Sequence, residues 1–250
     1  MNYVYELKQK SPLVLCLTNY VSVNFVANAL LSCGALPLMS NSIEELEELL
    51  NISNALYINI GTLDEDFIQR AISASQIAKA LGKPIVLDPT GSGASKIRTQ
   101  TARSLMQYAD VIKGNASEII SLSEDLENSK GVDSSHPIEL ALSKTKDIVS
   151  RYNNMVIITG SIDHIVSKAS SNINKSGVPI MTKITGMGCA LGAVLAGFIA
   201  IEKSPKCMLN AVYYYGKAGE QAFKKNIDVG AFKNNFLSEL NSYIGDNYNG

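Results

Sequence analysis

The chain contains no tryptophan, two histidines and four cysteines in 250 residues. Cys16, Cys33, Cys189 and Cys207 are scattered, form no Cys-x-x-Cys pair and have little histidine to help them. Neither a disulfide framework nor structural zinc is expected on that ground, and a reducing cytoplasm is the expected setting. A charge imbalance is also missing: 22 Lys and Arg against 23 Asp and Glu leave a formal net charge of −1. Without a basic field, neither nucleic acid nor an anionic membrane is an expected partner. The apolar run from Cys189 to Ile201 stops at Glu202-Lys203, short of the roughly 18–20 residues of a membrane span. Met1 to Lys10 lack the basic start and apolar stretch of a signal peptide.

What the chain does have is 46% hydrophobic residues with 18% charged, the balance of a soluble enzyme with a large core. Strand-like and helix-like segments alternate. Strands are expected at 12–17, 35–39, 56–60, 84–88, 111–113, 155–159, 162–166 and 178–181. Helices are expected from Val23 to Cys33, from Ser42 to Leu50, from Asp64 to Leu81, from about Thr99 to Tyr108 and from Ala116. Ser42 with Glu45 reads as a capping box, and Gly34 and Gly82 as helix stops. The polar stretch Asn128 to Ser135 reads as a loop. This pattern predicts an α/β fold with a mostly parallel central sheet, helices on both faces and a single domain over residues 1–250.

The most informative segment is Thr185-Gly186-Met187-Gly188-Cys189-Ala190-Leu191-Gly192. A glycine-rich turn feeding an apolar helix presents unpaired N–H groups, and the helix dipole makes that place suit a phosphate. A dinucleotide fingerprint fits poorly. The glycine order is Gly-x-Gly-x-x-x-Gly, and no acidic residue closes a second strand about 20 residues on. Helix packing also explains the glycines. Helix starts favour thiolates, so Cys189 is a candidate nucleophile, weak base or placed thiol.

In a parallel sheet, ligands collect at the carboxyl ends of the strands. The residues expected there are small, polar and glycine-rich: Thr18-Asn19-Tyr20, Met39-Ser40, Gly61-Thr62, Asp88-Pro89-Thr90-Gly91, Gly114-Asn115-Ala116-Ser117-Glu118 and Thr159-Gly160. Asp88 could cap its own turn or bind a cation, and Glu118 could cap a helix opened by Asn115 or do the same. Lys113 could be a snorkelling surface lysine or a phosphate contact.

Taken together, Thr18-Asn19-Tyr20-Val21, Asn59-Ile60-Gly61-Thr62-Leu63, Leu87-Asp88-Pro89-x-Gly91-x-Gly93-Ala94, Lys113-Gly114-Asn115-Ala116-Ser117-Glu118, Ile158-Thr159-Gly160 and Thr185-Gly186-x-Gly188-Cys189 resemble the hydroxyethylthiazole kinases of thiamine salvage. That family has the ribokinase-like fold. The likeness runs in order from about Pro12 to Gly219. Three departures are visible: Met187 for a usual threonine, Thr90 for a common valine, and Lys113 for an arginine that would offer a bidentate fork.

The resemblance implies transfer of the ATP γ-phosphoryl to the primary alcohol of 4-methyl-5-(2-hydroxyethyl)thiazole. It implies that Gly186, Gly188 and Cys189 hold the transferring group, and that Asp88 and Glu118 organise Mg²⁺. Asn115, Lys113 and Thr159 then lie toward the nucleotide. Met39, Gly186, Asn19 and Val21 line the alcohol pocket, and Gly61 lines the wall of a neighbouring subunit in a homotrimer. Cys189 stands where related sugar and vitamin kinases carry an aspartate base. A hydroxymethylpyrimidine kinase or another small-alcohol kinase of the same fold is the alternative, although those enzymes usually have Gly-x-Gly-Asp at this turn.

Overall fold

A computed structural model describes residues 1–123, 137–225 and 227–242. Eight strands form one sheet: β1 (Leu13–Leu17), β2 (Leu36–Met39), β3 (Ala55–Asn59), β4 (Ile85–Asp88), β5 (Val111–Asn115), β6 (Met155–Thr159), β7 (Asp163–Val166) and β8 (Ser171–Asn174). Their spatial order is β2-β1-β3-β4-β5-β6-β7-β8. Neighbours are parallel from β2 through β6, while β7 and β8 join antiparallel at one edge. The central strands are near-continuous apolar runs because both faces are covered.

The two-residue alternation along β3 shows how the layers are built. Tyr57 belongs to the apolar cluster built with α1 (Tyr3–Lys10), α2 (Val23–Cys33), α8 (Met187–Ile199), α9 (Pro205–Lys225) and α10 (Val229–Ser242). Leu56 and Ile58 face the other way, against α3 (Leu46–Ile52), α4 (Glu65–Ala80), α5 (Lys96–Leu105), α6 (Ala116–Ser121) and α7 (Pro137–Tyr152). Helices therefore cover both faces, as expected. No helix among the described residues is long and apolar enough to cross a membrane.

Local chemistry sets the boundaries. Asp64 and Ser95 cap α4 and α5 by accepting from the N–H groups of Phe67 and Arg98. The Ser95 cap explains why α5 starts at Lys96 rather than near Thr99. Two other expectations are corrected. Ser42 does not open a helix: α3 starts at Leu46 after Glu45, and the Ser42 hydroxyl turns instead to Glu44. Residues 178–181 are not a strand, because Pro179 opens a short 3-10 turn, Pro179–Lys183, where its fixed φ and missing N–H fit. The expected loop at Asn128 to Ser135 lies outside the described residues.

Candidate active site

The parallel strands deliver their last residues to one edge of the sheet, and α8 starts above that edge. Gly186 precedes α8 with φ +87°, a left-handed conformation that side chains resist, and no side chain caps the helix start. A Cβ at Gly186 would sit 2.8 Å from Ser22 Cβ. The rest of α8 is buried apart from Gly188 and Cys189. The first-turn N–H groups of a helix have no intrahelical acceptor, and both residues line a cavity.

That cavity has a volume of about 250 Å³ and is lined by Asp88, Thr90, Lys113, Asn115, Glu118, Thr159, Gly186, Met187, Gly188 and Cys189, closed by the 3-10 turn. Eight residues singled out in the sequence thus share one cavity: Asp88, Lys113, Asn115, Glu118, Thr159, Gly186, Gly188 and Cys189.

Lys113 is not a surface lysine. It is 5% exposed, and its Nζ lies 2.9 Å from Asp88 Oδ2. Burial lowers the pKa of its ammonium, but the charges of Asp88 and Glu118 outweigh burial and the net shift is upward. Asp88 also accepts from Thr90 Oγ1 at 2.8 Å and from Tyr57 Oη at 3.2 Å. The Thr90 hydroxyl is therefore more than a valine substitute, because it ties Asp88 to Asn59, whose Nδ2 donates to it at 3.0 Å.

Of the two roles that the sequence left open for Glu118, the structure shows the cap. With Asn115 it forms a capping box at the start of α6, and its Oε1 accepts from the Gly91 N–H at 2.9 Å. It also lines the cavity, where burial first and the Asp88 charge second raise its pKa above 4.5. Among the described residues no group of three His, Cys, Asp or Glu side chains could hold a metal ion. Two carboxylates crowded on one wall with a single ammonium still fit Mg²⁺, which takes one or two carboxylates and completes its shell with water and phosphate oxygens.

A second cavity of about 370 Å³ adjoins the first and shares Thr159, Met181, Thr182, Met187 and Gly188 with it. A third, of about 430 Å³, contains Met39 with Thr18, Tyr20, Thr62 and Arg70. Asn19 lines none of the three cavities, but its Nδ2 donates to Asn59 Oδ1 at 2.8 Å and faces Cys189 Sγ at 3.3 Å. The Gly61 N–H donates to the same Asn59 oxygen. Val21 is 61% exposed and lines none of these three cavities.

Residues that the sequence did not single out complete the site. Asn59 is fully buried and links Asn19, Gly61, Tyr57 and Thr90. Arg98 donates to the carbonyl oxygens of Ile60, Thr90 and Gly61, clamping the loops after β3 and β4. Asn59 ends β3 and opens one of the motifs quoted above, whereas Arg98 lies in the first turn of α5, where nothing local marked it.

A sequence model of the Hydroxyethylthiazole kinase family matches residues 4–245. The chain belongs to that family. It is 43% identical to the hydroxyethylthiazole kinase of Chlamydia felis (strain Fe/C-56), covering 94% of this chain and 91% of the relative. It is 41% identical to that of Vibrio atlanticus (strain LGP32), covering 94% and 90%. Among solved structures, the hydroxyethylthiazole kinase protein of Pyrococcus horikoshii OT3 superposes with a TM-score of 0.88 at 33% identity, over 96% and 91% of the two chains. A ribokinase-like superfamily protein of Enterococcus faecalis V583 shares the fold, with a TM-score of 0.67 at 16% identity over 97% and 88%. This kinase family member thus has the ribokinase-like fold expected of it.

Proposed function

We propose that the chain, acting as one kinase domain, transfers the γ-phosphoryl group of ATP to the primary hydroxyl of 4-methyl-5-(2-hydroxyethyl)thiazole, in thiamine biosynthesis or salvage in the cytoplasm. The observation that carries this reading is the uncapped Gly186–Cys189 helix start opening on the same cavity as Asp88, Glu118 and Lys113. Phosphoryl transfer is mostly positioning and charge neutralisation, and these residues supply both.

The Gly186, Gly188 and Cys189 turn cradles the transferring group, and Lys113 lends positive charge to the phosphates. Asn115 and Thr159 face the nucleotide, whose base and ribose have room in the adjoining 370 Å³ cavity. Asp88 and Glu118 would hold Mg²⁺ through their free lone pairs. When bound, the ion neutralises charge on the phosphate oxygens. The alcohol enters from the Met39 side past Asn19 and Gly186. Cys189 Sγ, beside Asn19, acts as a mild acceptor for the alcohol's proton, since a loose transition state needs little base assistance. Val21 and Gly61 belong to the same pocket in a homotrimer, where Gly61 faces a neighbouring subunit. The exposure of Val21 is compatible with such a contact.

A coupled ADP assay with Mg·ATP and a panel of thiazole, pyrimidine and sugar alcohols tests the proposal. Turnover is expected on the thiazole alcohol. Activity on a hydroxymethylpyrimidine without activity on the thiazole would overturn it.

A further inference from the structure

Tyr57 is fully buried in the middle of β3, where a tyrosine would ordinarily be a core filler. Its hydroxyl is not in a core environment. It lies 2.8 Å from the Cys189 carbonyl oxygen and 3.2 Å from Asp88 Oδ2, and it accepts from Asn59 Nδ2 at 3.0 Å. The ring reaches that place because residue 192 is glycine: a Cβ there would sit 2.6 Å from Tyr57 Cε2. Helix α8 therefore gives up a side chain one turn into its length, and the space is taken by a phenol aimed at the helix start.

We infer that Tyr57 is a positioning residue for phosphoryl transfer, holding the first turn of α8 in register with Asp88. The inference rests on the kinase reading above. The Cys189 carbonyl can only accept, so the phenol proton is directed to it, and a short shift of the same proton reaches Asp88. The anion-binding turn and the acidic wall lie on different elements, α8 and β4, and Tyr57 is a side chain that bonds to both. A misplacement of about 1 Å between such groups costs on the order of a hundredfold in rate.

Tyr57→Phe tests this in the full-length protein, because the ring still packs on Gly192 and only the hydroxyl is lost. The expected result is a fall in kcat of about tenfold, the worth of one buried hydrogen bond, with KM for ATP and for the alcohol nearly unchanged. Calorimetry provides a readout independent of the acceptor. ADP alone should bind the variant as it binds the wild type, while ADP with aluminium fluoride, a mimic of the transferring phosphoryl group, should bind about tenfold more weakly. A lowered melting temperature with unchanged kcat and an equal effect on both ligands would mean a structural role only, and would overturn the inference. A wild type that binds ADP with aluminium fluoride but does not phosphorylate the thiazole alcohol would sink the proposed substrate and leave the Tyr57 comparison intact.

Discussion

Lys113 Nζ and Asp88 Oδ2 lie 2.9 Å apart, with both side chains almost wholly withdrawn from water. Such a pair contributes little net stability when whole, but losing one partner strands the other charge. Lys113→Met should therefore destabilise the fold by about 3–5 kcal/mol in denaturant titrations. Because the folded pKa of Lys113 is raised, its contribution is fully present below the ordinary lysine value of 10.5 and is lost only as pH rises through the higher folded value. The stability gap between variant and wild type should accordingly hold from neutral pH up to 10.5. A gap that closes well below that value would contradict the assignment.

Glu118 gains its proton at a higher pH than an ordinary glutamate, so a function that needs the carboxylate must fade early on acidification. The acid limb of kcat/KM should lie above 4.5. In Glu118→Gln that limb should move, and kcat should fall by roughly 10²–10³. A pH–rate profile in which the limb is unchanged by the substitution would remove Glu118 from the charge-handling set.

Gly186→Ala imposes a side chain on a left-handed backbone, costing roughly 1–2 kcal/mol, and drives a methyl group into Ser22. Ser22 donates to Asn19 through both its N–H and its hydroxyl, so the disturbance extends to Cys189. A folded protein with about a hundredfold lower kcat is expected, checked by circular dichroism alongside the ADP assay.

Cys189→Ser should slow turnover by about tenfold, against at least about 10²-fold for Asp88→Ala, because the transition state asks for charge neutralisation more than for a base. Equal losses in the two variants would promote the thiol to a principal base. Intact-mass spectrometry after ATP turnover should show no phosphocysteine.

The edge of the sheet where the site lies was readable because strand periodicity locates strand ends, and a parallel sheet gathers those ends on one side. Asp88, Asn115 and Thr159 could be placed by that logic, while the Gly186 turn, which follows a 3-10 turn and no strand, was marked by its glycines instead. Tyr57 could not be placed: in β3 it follows the same alternation as any core strand, and nothing local distinguishes a phenol that fills space from one that reaches a carbonyl. The burial of Lys113 was hidden for the same reason, since its partner is 25 residues away. Residues 178–181 misled because β-branched and apolar residues favour strands on average, while one proline decides the backbone locally.

The guanidinium of Arg98 binds three carbonyl oxygens from two separate loops. Loops of this kind would otherwise sample many shapes, and a substrate would have to select one at every encounter. Here the selection is made once, when the chain folds, and it is inherited by each catalytic cycle. The β3–β4 side of the site therefore serves as a fixed anvil, shaped before any ligand arrives.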